Sequence, residues 1–182
     1  MTLEALALQG ANGIYENLAA TVTGKIHEFR RDDLRECFTN FNELEHRLES
    51  VATVHGIQFI NDSRSSTING SWFALESMYK PVIWIAGGVD SGNDYSIVRS
   101  LVKRKVKVII CLGKDNSRLH QAFEDLELPL MDTTSMEEAV QAAYYMSEKG
   151  YAVLLSPACA SFDLFKNFED RGNAFIRAVK NL

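Results

Sequence analysis

Val82-Ile83-Trp84-Ile85-Ala86, followed at once by Gly87-Gly88, is the stretch that decides the fold. An unbroken apolar run has no polar face to give to water, so the strand it forms must be covered on both sides, as the central strands of parallel sheets are. Two further runs share this character, over 106–112 and 152–155. Upstream, apolar segments over 50–54 and 57–60 flank His55-Gly56, a two-residue connection of hairpin type. Helical periodicity fills the gaps over 68–79, 95–103, 117–125, 135–148 and 164–179, the first of these ended by Pro81. Ser135 with Glu138 three residues later reads as a capping box. The spacing predicts an α/β domain: a mostly parallel, Rossmann-like sheet with helices on both faces, preceded by a β-hairpin and an N-terminal helical segment over 13–23.

Composition narrows the function. The chain has 182 residues, 46% of them apolar, and 19 basic against 24 acidic residues leave a net charge of −5. That balance favours neither nucleic acid nor an anionic membrane, and no run approaches the roughly 18 apolar residues that cross a bilayer, so a cytoplasmic protein is expected. Cys37, Cys111 and Cys159 are widely spaced without a C-x-x-C pair, and His27, His46, His55 and His120 are equally scattered. No metal site is expected from that pattern.

In open sheets of this kind ligands bind beyond the strand C-termini, so the segments after Ile60, Ala86, Leu112 and Leu155 are the ones to inspect. Asn61-Asp62-Ser63-Arg64-Ser65-Ser66-Thr67 is polar and opens a helix, which suits either an anion or a plain N-cap by Asp62 or Ser66. Ser156-Pro157-Ala158-Cys159-Ala160-Ser161-Phe162-Asp163 offers small residues that let a ligand approach the backbone, with Ser161 or Asp163 expected to cap the next helix. Cys159 reads as a packed thiol, since a nucleophile needs a base that the sequence does not offer. Gly87-Gly88-Val89-Asp90-Ser91-Gly92-Asn93-Asp94 is a flexible turn that matches neither G-x-G-x-x-G nor G-x-x-x-x-G-K-[ST]. Any ATP chemistry must therefore take its phosphate loop from elsewhere.

These strings, His46-Arg47-Leu48-Glu49, Asn61-Asp62-Ser63, Gly87-Gly88 with Asn93-Asp94-Tyr95-Ser96, and above all S-P-A-C-A-S-F-D-x-F-K-N-F-x-x-R-G-N over 156–173, resemble the Mur ligases along essentially the whole chain. The resemblance is to the D-glutamate-adding branch, with residues 34–182 similar to its C-terminal domain and 1–33 similar to the last helical piece of its central ATPase domain. It implies an ATP- and Mg-dependent ligase of peptidoglycan precursor synthesis, in which ATP phosphorylates the carboxylate of UDP-N-acetylmuramoyl-L-alanine and the amine of D-glutamate attacks the acyl phosphate.

By the same resemblance Arg47 reaches the ATP phosphates on domain closure, and Asp62 contacts the nucleotide or holds the interdomain geometry. Ser66, Ser161, Phe162 and Phe168 line the D-glutamate pocket. Four positions depart from the family pattern: Arg64 stands for a lysine, Ser65-Ser66-Thr67 for Ala-Thr-Asn, Ser91 for a lysine that pairs a D-glutamate carboxylate, and Gly13 for an asparagine facing adenine. Arg64 and Ser91 thus join the candidate site residues. The expectation is a C-terminal domain inactive by itself, the alternative being a non-catalytic binding module on the same fold. A nucleotide-binding domain of another class fits poorly without a phosphate loop. The apolar face Ile14, Leu18, Val22 of the 13–23 helix is expected to dock back, to fray, or to pair with a second copy.

Overall fold

The structure, a computed structural model, describes residues 45–182. The expectations for Gly13, for the 13–23 helix and its self-association, and for the boundary at 33/34 lie outside the described residues. Six strands form one sheet in the order β1-β2-β6-β3-β4-β5. These are β1 (Glu49–Val54), β2 (Ile57–Asn61), β3 (Val82–Gly87), β4 (Val106–Leu112), β5 (Leu130–Thr133) and β6 (Ala152–Ala158). The β1/β2 pair is antiparallel and every other pair is parallel. His55 and Gly56 have φ of 49° and 84°, the paired left-handed conformations that let a two-residue turn follow the strand twist.

Side-chain alternation divides the core into two layers. Trp84, Ile109 and Leu154 face one side, where they meet α1 (Ile68–Glu76), α2 (Ser96–Lys105) and α3 (Ser117–Phe123). Ile83, Ile85, Ile110 and Leu155 face the other, against α4 (Met136–Tyr145) and α5 (Phe168–Lys180). Helices on both faces explain why β3, β4 and β6 read as unbroken apolar runs. Trp84 is fully buried and donates its indole N–H to the Ser156 carbonyl at 2.7 Å, so even the largest core side chain is polar-satisfied.

Several features differ from the sequence reading, and four of them have a local reason in the loops that flank the sheet. Helix α1 stops at Glu76 instead of continuing to Tyr79 because Lys105 caps it, its Nζ donating to the Leu75 and Glu76 carbonyls at 3.1 and 2.6 Å. Its N-cap is Thr67, not Asp62 or Ser66, with Oγ1 accepting from the Gly70 N–H. Strand β5 lies outside every predicted run because Leu130-Met131-Asp132-Thr133 is a short, half-covered edge without β-branched enrichment. Helix α5 begins at Phe168, four residues later than periodicity indicates. The segment before it turns on the Ser161 carbonyl, which accepts from the Leu164 and Phe165 N–H groups, and extended Asn167 then caps the helix through the Asp170 N–H at 2.7 Å. Neither Ser161 nor Asp163 is the cap. Ser135 does cap α4, accepting from the Glu138 N–H, while the Glu138 carboxylate reaches back to the Thr134 N–H.

Gly87 ends β3 at φ 126°, and a Cβ there would lie 2.4 Å from the backbone oxygen of Leu112 on β4. Gly87→Ala is therefore expected to destabilise the fold by roughly 2 to 5 kcal/mol, combining backbone strain with a clash that no side chain can relieve. Urea unfolding of the variant beside the parent checks this.

Candidate functional site

The loops after β2 and β6 meet at the C-terminal edge of the sheet, and a buried guanidinium joins them. Arg171, one turn into α5 and 1% exposed, donates from Nε to Ser63 Oγ at 3.0 Å, from Nη1 to the Cys159 carbonyl at 3.0 Å, and from Nη2 to the Ser63 carbonyl and Ser66 Oγ at 2.9 and 3.3 Å. Burial pushes its pKa down to about 10, which leaves it charged at neutral pH. Removing one partner of a buried charge costs several kcal/mol, so this fork holds both loops in one geometry. Ser63 Oγ completes the tie by donating to the Phe168 carbonyl at 2.8 Å.

Beside it lies a second buried network. Asp62 Oδ2 accepts from Ser156 Oγ at 2.7 Å and Oδ1 from the Leu48 N–H at 3.3 Å. Burial raises the Asp62 pKa to about 6, although hydrogen bonds from Ser65, Ser156 and Leu48 and the charge of Arg47 pull the other way. Arg47 sits half-buried between His46 and Leu48, whose φ of 64° and 46° make a tight left-handed bend. The bend is fixed from two sides. Asn61 Oδ1 accepts from the Ser63 N–H, which turns Nδ2 toward His46 Nδ1 at 2.8 Å and Glu49 Oε2 at 3.0 Å, and so assigns the proton of the neutral ring to Nε2. Gly172 lets α5 approach the same ring, since a Cβ there would fall 2.3 Å from His46 Nδ1.

The predicted residues distribute over these loops unevenly. Arg47, Asp62, Arg64, Ser66 and Phe168 come together, with the Arg64 guanidinium 5.4 Å above the Phe168 ring and the His46 ring meeting that ring edge-on. Ser161 and Phe162 stand on the β6–α5 loop. Ser161 is 3% exposed and its hydroxyl has no hydrogen-bond partner among the described residues, whereas Phe162 is 74% exposed. Ser91 is exposed on the β3–α2 turn and joins the others only through its loop, which bridges to the β6 loop by the Val89 and Ala160 backbone pair.

That turn is tied by hydrogen bonds to Asp90 in spite of its glycines. Burial would raise the Asp90 pKa, but donation from the Asn93 N–H, the Tyr95 hydroxyl and the Gly92 N–H lowers it overall. Cys159 is buried, with its thiol pKa raised by that burial, and contacts Tyr95 Oη and Asn93 Nδ2 at 3.5 Å, in keeping with an inert packed thiol.

Sequence reasoning passed over Arg171 and Ser156. The signal for Arg171 was present: it falls on the same helical face as Phe175, Ala178 and Val179, where a charge needs a partner. Sequence scatter also misled on convergence, because Cys111, His120 and Asp132 are brought together by β4, α3 and β5.

Residues 46–159 match the family model described as Mur ligase, glutamate ligase domain. The UDP-N-acetylmuramoylalanine–D-glutamate ligase of Christiangramia forsetii is 48% identical over 182 residues, 100% of this chain and 41% of that protein. The ligase of the same name from Bacteroides fragilis is 45% identical over 183 residues, again 100% of this chain and 41% of the relative. The chain thus spans 41% of the length of these curated relatives. Among solved structures, UDP-N-acetylmuramate–alanine ligase MurC from Thermotoga maritima aligns with a TM-score of 0.64 at 12% identity, covering 94% of this chain and 38% of that one. MurF from Acinetobacter baumannii aligns at 0.57 and 12% identity over 82% and 35%. At such identities these two speak to the fold alone.

The raised Asp62 pKa gives a signed prediction. Between about pH 4 and 6 the folded protein keeps a proton that the unfolded chain has released, so this group makes stability fall as pH rises, by about 3 kcal/mol across the window. Asp62→Asn removes the effect, and the variant is expected to gain about that much relative to the parent between pH 4 and 7.5. Urea midpoints of both proteins at the two pH values check it, and a pH-independent difference contradicts it.

Proposed function

Because the chain belongs to the Mur ligase glutamate-ligase domain family, we propose that it is the amino-acid-capturing C-terminal part of an ATP-dependent ligase that adds D-glutamate to UDP-N-acetylmuramoyl-L-alanine in the cytoplasm. The observation that carries this reading is the Arg171 tie between the β2 and β6 loops, since it draws Ser66, Arg64 and Phe168 to one edge of the sheet with the Ser161 loop. In this reading residues 34–182 are the capturing domain and 1–33 belong to the central domain. Self-association through the 13–23 face is part of the same proposal.

D-glutamate brings an ammonium, which gives its proton to solvent before the amine attacks, and two carboxylates that need donors. Ser66 Oγ and the unpartnered Ser161 hydroxyl supply neutral donors, while Arg64, held on the Phe168 ring, supplies the charge. Phe168, under the Arg64 guanidinium, gives the reacting amine an apolar neighbour, and Phe162, exposed on the β6–α5 loop, stands at the rim. Arg47 meets the phosphate charge that develops as the amine displaces phosphate from the acyl phosphate, forming the amide bond. Asp62 acts through position: its bond from the Leu48 N–H and the charge of Arg47 couple it to the bend that carries Arg47.

ATP and Mg fit this site only in part. Its buried carboxyl is already bonded to Ser156 and Leu48, and magnesium needs several open oxygens. We therefore assign the metal and the phosphate loop to other parts of the ligase and infer that these residues form no amide bond unaided. ATP supplies the activation when bound there, and this chain supplies Arg47 and the amino acid.

Ser91 favours a second reading, a non-catalytic binding module, because an uncharged, exposed hydroxyl stands where the family places a lysine. Restoring one charge-assisted hydrogen bond is worth roughly tenfold to a hundredfold in affinity. Calorimetric titration with D-glutamate is expected to give binding that Ser91→Lys strengthens by at least about tenfold. Binding unchanged by the lysine contradicts the assignment of Ser91 to the pocket, and absence of D-glutamate binding in both proteins contradicts the capture function.

A further inference from the structure

We propose that Cys111, His120 and Asp132 form a binding site for a borderline divalent cation of the Zn²⁺ class, separate from the amino-acid pocket. The three side chains come from β4, α3 and β5, and their ligand atoms, Sγ, an imidazole nitrogen and a carboxylate oxygen, all lie within 4.8 Å of one another. His120 Nε2 is already 3.0 Å from both Asp132 oxygens. Zinc bound at about 2.0 to 2.3 Å in tetrahedral geometry sets its ligands about 3.3 to 3.7 Å apart, so no pair in the set has to close by more than about 1 to 1.5 Å. His120 and Asp132 are 37% and 57% exposed on their side chains, which leaves them free to make that adjustment around a fixed Cys111.

The surroundings orient this set. Asn116 Nδ2 donates to Asp132 Oδ1 at 2.9 Å and to the Cys111 carbonyl at 3.2 Å, and Thr133 Oγ1 donates to the same carbonyl at 3.2 Å. Ligand carboxylates in metal sites are held by partners of this kind. Swapping the Asn116 amide would turn its oxygen against two acceptors, so its orientation is fixed. Asn116 Oδ1 is then a fully covered side-chain oxygen without a partner, and it stands beside the cluster facing Gly113. A buried polar atom left without a partner marks a spot where internal hydrogen bonding is incomplete.

Donor chemistry selects the ion. Once the ion displaces the Cys111 S–H proton to solvent, one thiolate, one imidazole and one carboxylate suit Zn²⁺ or Co²⁺ and disfavour Mg²⁺, which demands oxygens, so this site is distinct from any magnesium that accompanies ATP. Three protein ligands leave a fourth position for solvent. Binding would fasten β5, the short edge strand, to α3 and β4 without touching Arg171 or Asp62.

The test uses the whole chain, stripped with chelator and titrated with Co²⁺ under argon. The expected result is a thiolate-to-cobalt charge-transfer band in the near ultraviolet that saturates at one equivalent, disappears on addition of Zn²⁺, and is absent from Cys111→Ser. Because Cys111 is in the core, His120→Gln provides a variant on the exposed side: its fold is expected to be unchanged by circular dichroism and its Co²⁺ affinity to fall at least about tenfold. No charge-transfer band at saturation, a band that survives in Cys111→Ser, or an unaltered titration in His120→Gln each overturns the proposal. All three readouts are independent of D-glutamate binding.

Discussion

A single buried guanidinium governs this site. Arg171 carries five N–H donors in a rigid plane, and burial denies it water, so the protein must bring acceptors to it. It does so with the Ser63 carbonyl and hydroxyl, the Cys159 carbonyl and the Ser66 hydroxyl, drawn from two loops more than ninety residues apart in sequence. Hydrophobic packing of the β3, β4 and β6 runs explains why there is a sheet. It does not explain why the β2 and β6 loops hold the conformation they have. Ala158, with φ of 60°, occupies a left-handed conformation unusual for a residue with a Cβ, and it persists because Ser65, Asn93 and the neighbouring Cys159–Arg171 bond hold the segment from three directions.

The same low-dielectric edge treats two charges oppositely. Arg171 stays ionised because its acceptors replace water, while the Asp62 carboxyl titrates near pH 6 because its hydrogen bonds do not fully offset burial. The cation is the fixed element and the carboxyl the adjustable one. In the capture proposed above, the fixed element shapes the pocket, and the adjustable one adjoins the bend carrying Arg47, where phosphate charge is to be met. In that proposal, activation of the carboxylate and delivery of the amine belong to separate pieces of protein.

Much of the fold was legible in the residues. The unbroken run ending in Gly87-Gly88 identified a strand covered on both faces, and His55-Gly56 identified the hairpin. Strand β5 was not legible because an edge strand half-covered by its neighbours needs no apolar alternation. The extension of β6 through Ser156-Pro157-Ala158 was hidden by polarity: Ser156 is buried only because Asp62, Ser71 and Trp84 satisfy it, and those partners are distant in sequence. At the site, the quoted motif drew attention to Asp62, Ser66 and Phe168, which do converge, while Ser91 meets them only through a loop-to-loop bridge. Arg171 was visible as a misplaced charge on an apolar helix face, but what it binds is decided by tertiary structure. The convergence of Cys111, His120 and Asp132 had no linear signature, because a parallel crossover sets their neighbourhood.

The central claim is that Arg171 is a desolvated clamp between two loops, and the guanidinium itself reports on that. Nitrogen-edited spectra of the protein labelled at arginine measure it directly. The expected result is one arginine whose Nε and Nη protons give separate, slowly exchanging resonances, lost on Arg171→Lys and shifted when D-glutamate is added. A single averaged, rapidly exchanging signal for Arg171, like that of a surface arginine, would contradict the account.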